Sequence, residues 1–122
     1  MNKLLIADDE EILRMLIEDT LENLEIDIDT AVDGNEAYQK LSSGEYDFVI
    51  LDYMMPGLSG RDVLERLDPT VKSSLRILML TAKTQKEDRE ALEAAGADYF
   101  MAKPFSPVEL SDFVENMING AK

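Results

Sequence analysis

The chain has 122 residues, 45% of them apolar and 31% charged, with 12 basic against 26 acidic side chains and a net charge of −14. That length suits one domain with its own core, residues 1–122, and the charge predicts repulsion from nucleic acid and from anionic membranes. Cysteine and histidine are both absent, which removes thiolate chemistry, thiolate or imidazole metal ligation and any triad with a histidine base. Chemistry is left to carboxylates, hydroxyls and lysines. No apolar run approaches a membrane span, and the start MNKLLIADDE is unlike a secretory signal, so the expected setting is the cytoplasm.

Residues 4–7 (LLIA) form a short apolar run ending at Asp8 and Asp9, which predicts a strand. From Glu10 to Leu24 the apolar positions Ile12, Leu13, Leu16, Ile17, Leu21 and Leu24 recur at helical spacing. Residues 26–32 alternate as a half-buried strand does, and Asp33 with Glu36 caps a helix through about Leu41, ended by Ser42, Ser43 and Gly44. FVIL at 48–51 is the third strand. Ser59 or Gly60 opens a helix carrying Val63, Leu64 and Leu67, which Asp68-Pro69 stops, and PTVKSS follows as a loop.

RILML at 76–80 is the fourth strand. Thr84 with Glu87 forms a capping pair for a helix running to Ala95-Gly96, whose apolar content is Leu92 and alanines. This is expected to be the most weakly anchored helix. DYFMA at 98–102 is the fifth strand, and Ser106-Pro107 with Glu109 starts a last helix with Leu110, Phe113, Val114, Met117 and Ile118 in one stripe. Five strands alternating with five helices, the inner strands apolar throughout, predict an α/β doubly wound domain on a parallel sheet.

In such a sheet the carboxyl ends of all strands share one edge, where ligands bind. At those ends stand Asp8 and Asp9, then Asp52, Thr81 and Lys103. Singly, each has an ordinary explanation: an aspartate can simply cap a helix, and a lysine or threonine can simply decorate a loop. Together they form a site. Three carboxylates repel one another unless a cation joins them, and an all-oxygen set favours Mg²⁺ or Mn²⁺ over zinc. A lysine and a hydroxyl beside them suit the oxygens of a phosphoryl group. The pattern therefore points to phosphoryl transfer to a carboxylate. Asp52, at the end of a buried central strand, is the expected nucleophile. Asp8 and Asp9 sit at a helix entrance where they can hold the metal, and Gly57 and Gly60 keep the loop beyond Asp52 free of bulk.

The pieces LLIADDE, VILDYMMPGLSG, MLTAK and AAGADYFMAKPFS, in this order and spacing, resemble the receiver domain of bacterial two-component response regulators along essentially the whole chain. The resemblance implies a flavodoxin-like (βα)5 fold with strand order 2-1-3-4-5. It implies that Asp52 accepts a phosphoryl group from a histidine kinase or phosphotransfer protein. Mg²⁺ would be held by Asp8, Asp9, Asp52 and the backbone carbonyl of Met54, and Lys103 would contact the phosphate. Thr81 would be the switch hydroxyl and Phe100 the switch aromatic, where the family often has tyrosine.

Phosphorylation adds about −1.5 to −2 charge at the sheet edge. The weakly anchored helix at about 86–95, the fifth strand and the last helix are the natural bistable element, whose face would meet a downstream protein or a second copy of the chain. The resemblance also implies that Met54 and Lys83 tune the phosphoryl lifetime; Met54 cannot orient water, so a persistent phosphoryl group is expected. A phosphatase acting on external substrates would carry a second aspartate where Met54 stands. A flavin module would carry a Ser, Thr and Gly-rich loop in place of ADDEE. A degenerate receiver, working as a phosphorylation-independent interaction module, would not be expected to keep all the phosphorylation residues, which are present here. The expectation is a signalling domain that assists its own phosphotransfer and dephosphorylation, not an enzyme acting on other molecules.

Overall fold

A computed structural model of the chain describes residues 2–82 and 86–120. Strands β1 (Lys3–Ala7), β2 (Asp27–Ala31), β3 (Phe48–Asp52), β4 (Arg76–Thr81) and β5 (Tyr99–Ala102) form one sheet in the order β2-β1-β3-β4-β5. Every pairing is parallel. The expected doubly wound, flavodoxin-like architecture is therefore present. The described residues form six helices: α1 (Glu11–Thr20), α2 (Gly34–Leu41), α3 (Gly60–Arg66), α4 (Pro69–Ser73), α5 (Lys86–Ala95) and α6 (Pro107–Ile118).

The apolar strands bury both faces, with successive side chains on opposite sides. Leu5, Val49, Leu51, Ile77 and Met79 pack with Ala37, Leu41, Val63, Leu64 and Leu92 from α2, α3 and α5. Leu4, Ile6, Ile50, Leu78 and Leu80 pack on the other face with Ile17, Leu110, Val114 and Met117 from α1 and α6.

Helix starts follow the predicted caps. Asp33 accepts from the Glu36 N–H at 2.8 Å, Ser106 from the Glu109 N–H at 3.1 Å, and Ser59 with Asp62 makes a reciprocal capping box. Lys83 and Thr84 lie outside the described residues, and with them half of the expected Thr84–Glu87 pair.

Three expectations are corrected. The stretch PTVKSS is no plain loop: Asp68 ends α3 and also caps a new turn, accepting from the Thr70 N–H at 2.9 Å with Pro69 in the first position, where its fixed φ suits a helix. Among the described residues six helices replace the expected five. Helix α1 stops at Thr20, and Leu21 to Leu24 continue as tighter turns, the Leu24 N–H donating to the Leu21 carbonyl at 3.0 Å. Finally, Ile12 and Leu16 do not join the core; Ile12 is 84% exposed, because the sheet receives only the Leu13, Ile17 and Leu21 side of the helix.

Candidate functional site

Asp8 is the first residue beyond β1, Asp52 and Thr81 are the last residues of β3 and β4, and Lys103 follows β5. Parallel register brings these ends together: Asp52 lies opposite Leu80, and Thr81 opposite Ala102. Backbone bonds fix the loops between them. The Tyr53 N–H donates to the Leu80 carbonyl at 2.9 Å, the Lys103 N–H to the Thr81 carbonyl at 3.1 Å, and the Asp8 N–H to the Ala31 carbonyl at 3.2 Å. The Gly60 N–H returns to the Tyr53 carbonyl at 2.9 Å, pulling the start of α3 under the loop; a Cβ on Gly60 would stand 2.6 Å from the Asp52 carbonyl oxygen.

Two carboxylates meet one cation here. The Lys103 ammonium lies 2.9 Å from Asp52 Oδ1 and 3.4 Å from Asp8 Oδ2. Asp8 is 0% and Asp52 2% exposed. Burial pushes the Asp52 carboxyl up and the Asp8 charge adds to it, while the Lys103 hydrogen bond pulls the other way. Burial likewise raises Asp8, against the Glu10 N–H, which donates to its Oδ1 at 2.9 Å, and against Lys103. For Lys103 burial works to lower the pKa, but the hydrogen bond and charge of Asp52, with Asp8 and Glu10, raise it overall, so the amine stays cationic.

Asp9, Glu10, Asp52, Met54, Met55, Pro56, Thr81, Ala82 and Lys103 line an open cleft of about 590 Å³. Asp8, Asp9 and Glu10 present carboxylate oxygens within 4.8 Å of one another, an oxygen donor set of the kind hard divalent cations take. The net negative charge left by two buried carboxylates on one lysine fits such an ion. Asp9 does not cap α1: Glu10 is the N-cap residue and its side chain makes no cap bond, so the carboxylates of Asp9 and Glu10 remain exposed at the cleft.

The structure thus gathers Asp8, Asp9, Asp52, Thr81 and Lys103, with Met54 on the rim and 69% exposed. Phe100 stands apart. It is half-buried on β5 against the face shared with α5, outside the cleft, under the Arg89 guanidinium. Sequence reasoning missed Glu10 as an oxygen donor and Arg14, whose guanidinium donates to the Asp8 carbonyl at 2.7 Å and braces the turn into α1. The run of acids after β1 signalled the first; nothing local signalled the second.

A doubly wound sheet with this carboxylate and lysine cluster at its carboxyl edge defines a class, and residues 4–115 match the model of the response regulator receiver domain. The chain belongs to that family. It is 40% identical over 116 residues to the alkaline phosphatase synthesis transcriptional regulatory protein PhoP of Bacillus subtilis, covering 95% of this chain and 48% of that protein. It is 38% identical over 121 residues to the phosphate regulon transcriptional regulatory protein PhoB of Rhizobium meliloti, covering 98% and 53%. The chain therefore spans about half the length of these curated relatives. Among solved structures it is similar to the Francisella response regulator 1452 receiver domain (TM-score 0.87, 30% identity, 100% of both chains). It is similar also to the chemotaxis response regulator CheY4 of Vibrio cholerae (TM-score 0.87, 31% identity, 95% and 98%). Among the described residues no helix is long and apolar enough to cross a membrane.

Proposed function

We propose that this receiver domain takes a phosphoryl group from a phosphohistidine donor onto Asp52. The observation that carries the reading is the Lys103 ammonium shared at 2.9 and 3.4 Å between two buried carboxylates, Asp52 and Asp8, in a cleft that Thr81 also lines. An Asp52 carboxylate oxygen attacks phosphorus, the phosphorus–nitrogen bond to the donor imidazole breaks with its electron pair staying on nitrogen, and the phosphoryl group remains as an acyl phosphate. Lys103, cationic and already within reach of Asp52, meets a phosphoryl oxygen with little movement. The Thr81 hydroxyl donates to another.

Asp8, Asp9, Asp52 and the Met54 backbone carbonyl would hold Mg²⁺, or Mn²⁺ in its place, with Glu10 beside them. When bound, the ion neutralises the carboxylates and the charge gathering on the transferred phosphoryl oxygens. The donor is a histidine kinase or a phosphotransfer protein. The new charge at the sheet edge then shifts α5, β5 and α6, whose outer face carries the signal to a downstream protein or a second copy of the chain. Helix α5 suits that role, since Leu92 is its buried residue. Intact mass measured after incubation with Mg²⁺ and acetyl phosphate tests this: one phosphoryl group on the wild type and none on Asp52→Asn is expected. Equal labelling of both proteins would remove Asp52 from the role.

A further inference from the structure

The Arg89 guanidinium carbon lies 5.2 Å from the centroid of the Phe100 ring. Arg89 is an exposed residue on the first half of α5, one turn before Leu92, the helix's buried anchor. Its surroundings are acidic: Glu90 and Glu93 line the same groove with Lys86. Yet Glu90 pairs with Lys86 at 3.9 Å, and Arg89 makes no ion pair with any described carboxylate. Its described partner is the ring, whose electron-rich face attracts a cation.

We infer that Arg89 is a positioning residue for the aromatic switch: by lying on Phe100 it holds that ring at the protein surface and so sets the resting balance between the two states of the α5-β5-α6 face. The inference rests on the reading of Asp52 as phosphoacceptor and Phe100 as the switch aromatic. A guanidinium on an exposed helix position keeps its hydration and follows a ring only while that ring presents a face to solvent. Phe100 pairs in register with Met79, two residues before Thr81 on β4. A ring that turns inward behind Thr81 leaves Arg89 behind. Phenylalanine has no hydroxyl with which to hold either position, so the contact with Arg89 discriminates between them. A cation–ring contact at an exposed site shifts a two-state balance about 2–5-fold.

The test uses protein labelled with 4-fluorophenylalanine, the Phe100 fluorine resonance being assigned by its loss in Phe100→Leu. Wild type, Arg89→Gln and Arg89→Lys are compared in Mg²⁺ with and without beryllofluoride as phosphoryl mimic. Without the mimic, Arg89→Gln should move the Phe100 resonance toward its beryllofluoride position by the fraction that a roughly 2–5-fold population change gives, and acetyl phosphate should label Asp52 faster by a similar factor. Arg89→Lys keeps the cation and should stay near wild type, an outcome that a purely structural role for the side chain does not produce. A wild-type resonance that responds to beryllofluoride while Arg89→Gln stays at the unshifted position overturns the role of Arg89 alone. A wild-type resonance indifferent to beryllofluoride, in protein that acetyl phosphate fails to label, overturns the phosphoacceptor reading beneath it.

Discussion

Replacing Asp8 by asparagine should stabilise the protein in the absence of divalent metal. Asp8 Oδ2 and Asp52 Oδ1 each touch one Lys103 nitrogen, at 3.4 and 2.9 Å, so these two oxygens stand within about 6 Å of each other. At an effective dielectric constant of about 20 their repulsion is about 3 kcal/mol, and the Asp8 attraction to Lys103 about 5 kcal/mol. Asparagine removes both, together with the burial cost of the Asp8 charge, several kcal/mol for a fully desolvated ion. Its amide oxygen can still accept from the Glu10 N–H, and Lys103 keeps Asp52 as a balanced partner. The raised pKa of Asp8 fixes the sign, because burial outweighs Lys103 and the Glu10 N–H and leaves the ionised form the costly one. A net gain of about 1–3 kcal/mol follows, or about 4–12 °C in Tm for a domain of this size.

The pH dependence of this carboxylate, ion-paired though it is, runs opposite to that of one whose partners depress its pKa. Its folded pKa lies above the unfolded 3.8, so its penalty is complete above the folded value and is relieved as pH falls through it. The wild type should therefore approach Asp8→Asn in stability as pH is lowered from about 7 towards 4. Saturating Mg²⁺ should reverse the order, adding about 2.7 kcal/mol to the wild type at a hundredfold excess over Kd and less to the variant. Calorimetry in EDTA and in Mg²⁺ reads all of this. An Asp8→Asn protein that melts at or below wild type in EDTA near pH 7 would refute the reasoning.

Asp29 behaves in the usual sense: burial would raise it, but the Tyr46 hydroxyl at 2.6 Å, the Thr30 N–H and Lys40 lower it overall. Tyr46→Phe should cost about 1 kcal/mol near pH 7, and the cost should fade as pH drops below 3.8 through the depressed folded value, read by urea unfolding at each pH. Gly60→Ala should cost about 1–3 kcal/mol and slow labelling by acetyl phosphate, because its Cβ would press on the Asp52 and Tyr53 backbone; a variant labelled at the wild-type rate would count against that link. Met54→Glu should shorten the phosphoryl half-life by about tenfold by placing a water-orienting acceptor on the cleft rim, measured by loss of the phosphoryl mass after removal of donor. Lys72→Met should speed amide exchange in α5 but not in α2, since Lys72 Nζ donates to the Ala95 carbonyl at 2.9 Å and the cost of its loss, about 0.5–1.5 kcal/mol, is local.

The gathering of the candidate site residues was legible in the sequence because they stand where apolar runs stop. Asp8, Asp52, Thr81 and Lys103 each end or follow a strand, and a parallel sheet converts that position in each segment into one location in space. Contacts that depend on distances between segments were not legible. Gly34 looks like an ordinary second residue of a cap, yet any Cβ there would overlap the Leu58 carbonyl oxygen from the loop after β3. Ile12 and Leu16 follow helical spacing perfectly well, but spacing does not say how wide a strip of α1 the sheet covers.

The least legible feature bears on the proposed switching of the α5-β5-α6 face. Neither α5 nor α6 carries a basic residue in its last turn, where a cation would offset the partial negative charge of the helix end. Both receive one from the short stretch that reads as a loop and the strand start after it: Lys72 on α4 donates to the Ala95 carbonyl, and Arg76 at the start of β4 donates to the Met117 carbonyl. The two helices flanking β5 are thus held at their carboxyl ends by neighbouring residues of one segment, on the sheet edge opposite Asp52. In the first half of α5, among the described residues, Arg89 lies over the Phe100 ring. In the switching proposed above, a helix pinned at its far end and held nearer the site by a weak cation–ring contact would pivot without leaving the sheet. Such a pivot would demand only that the contact at the site end be worth about as much as a phosphoryl group on Asp52 could overturn, and an exposed cation–ring pair of about 0.5–1 kcal/mol would meet that demand where a second buried leucine, at about 1.5–3 kcal/mol, would not.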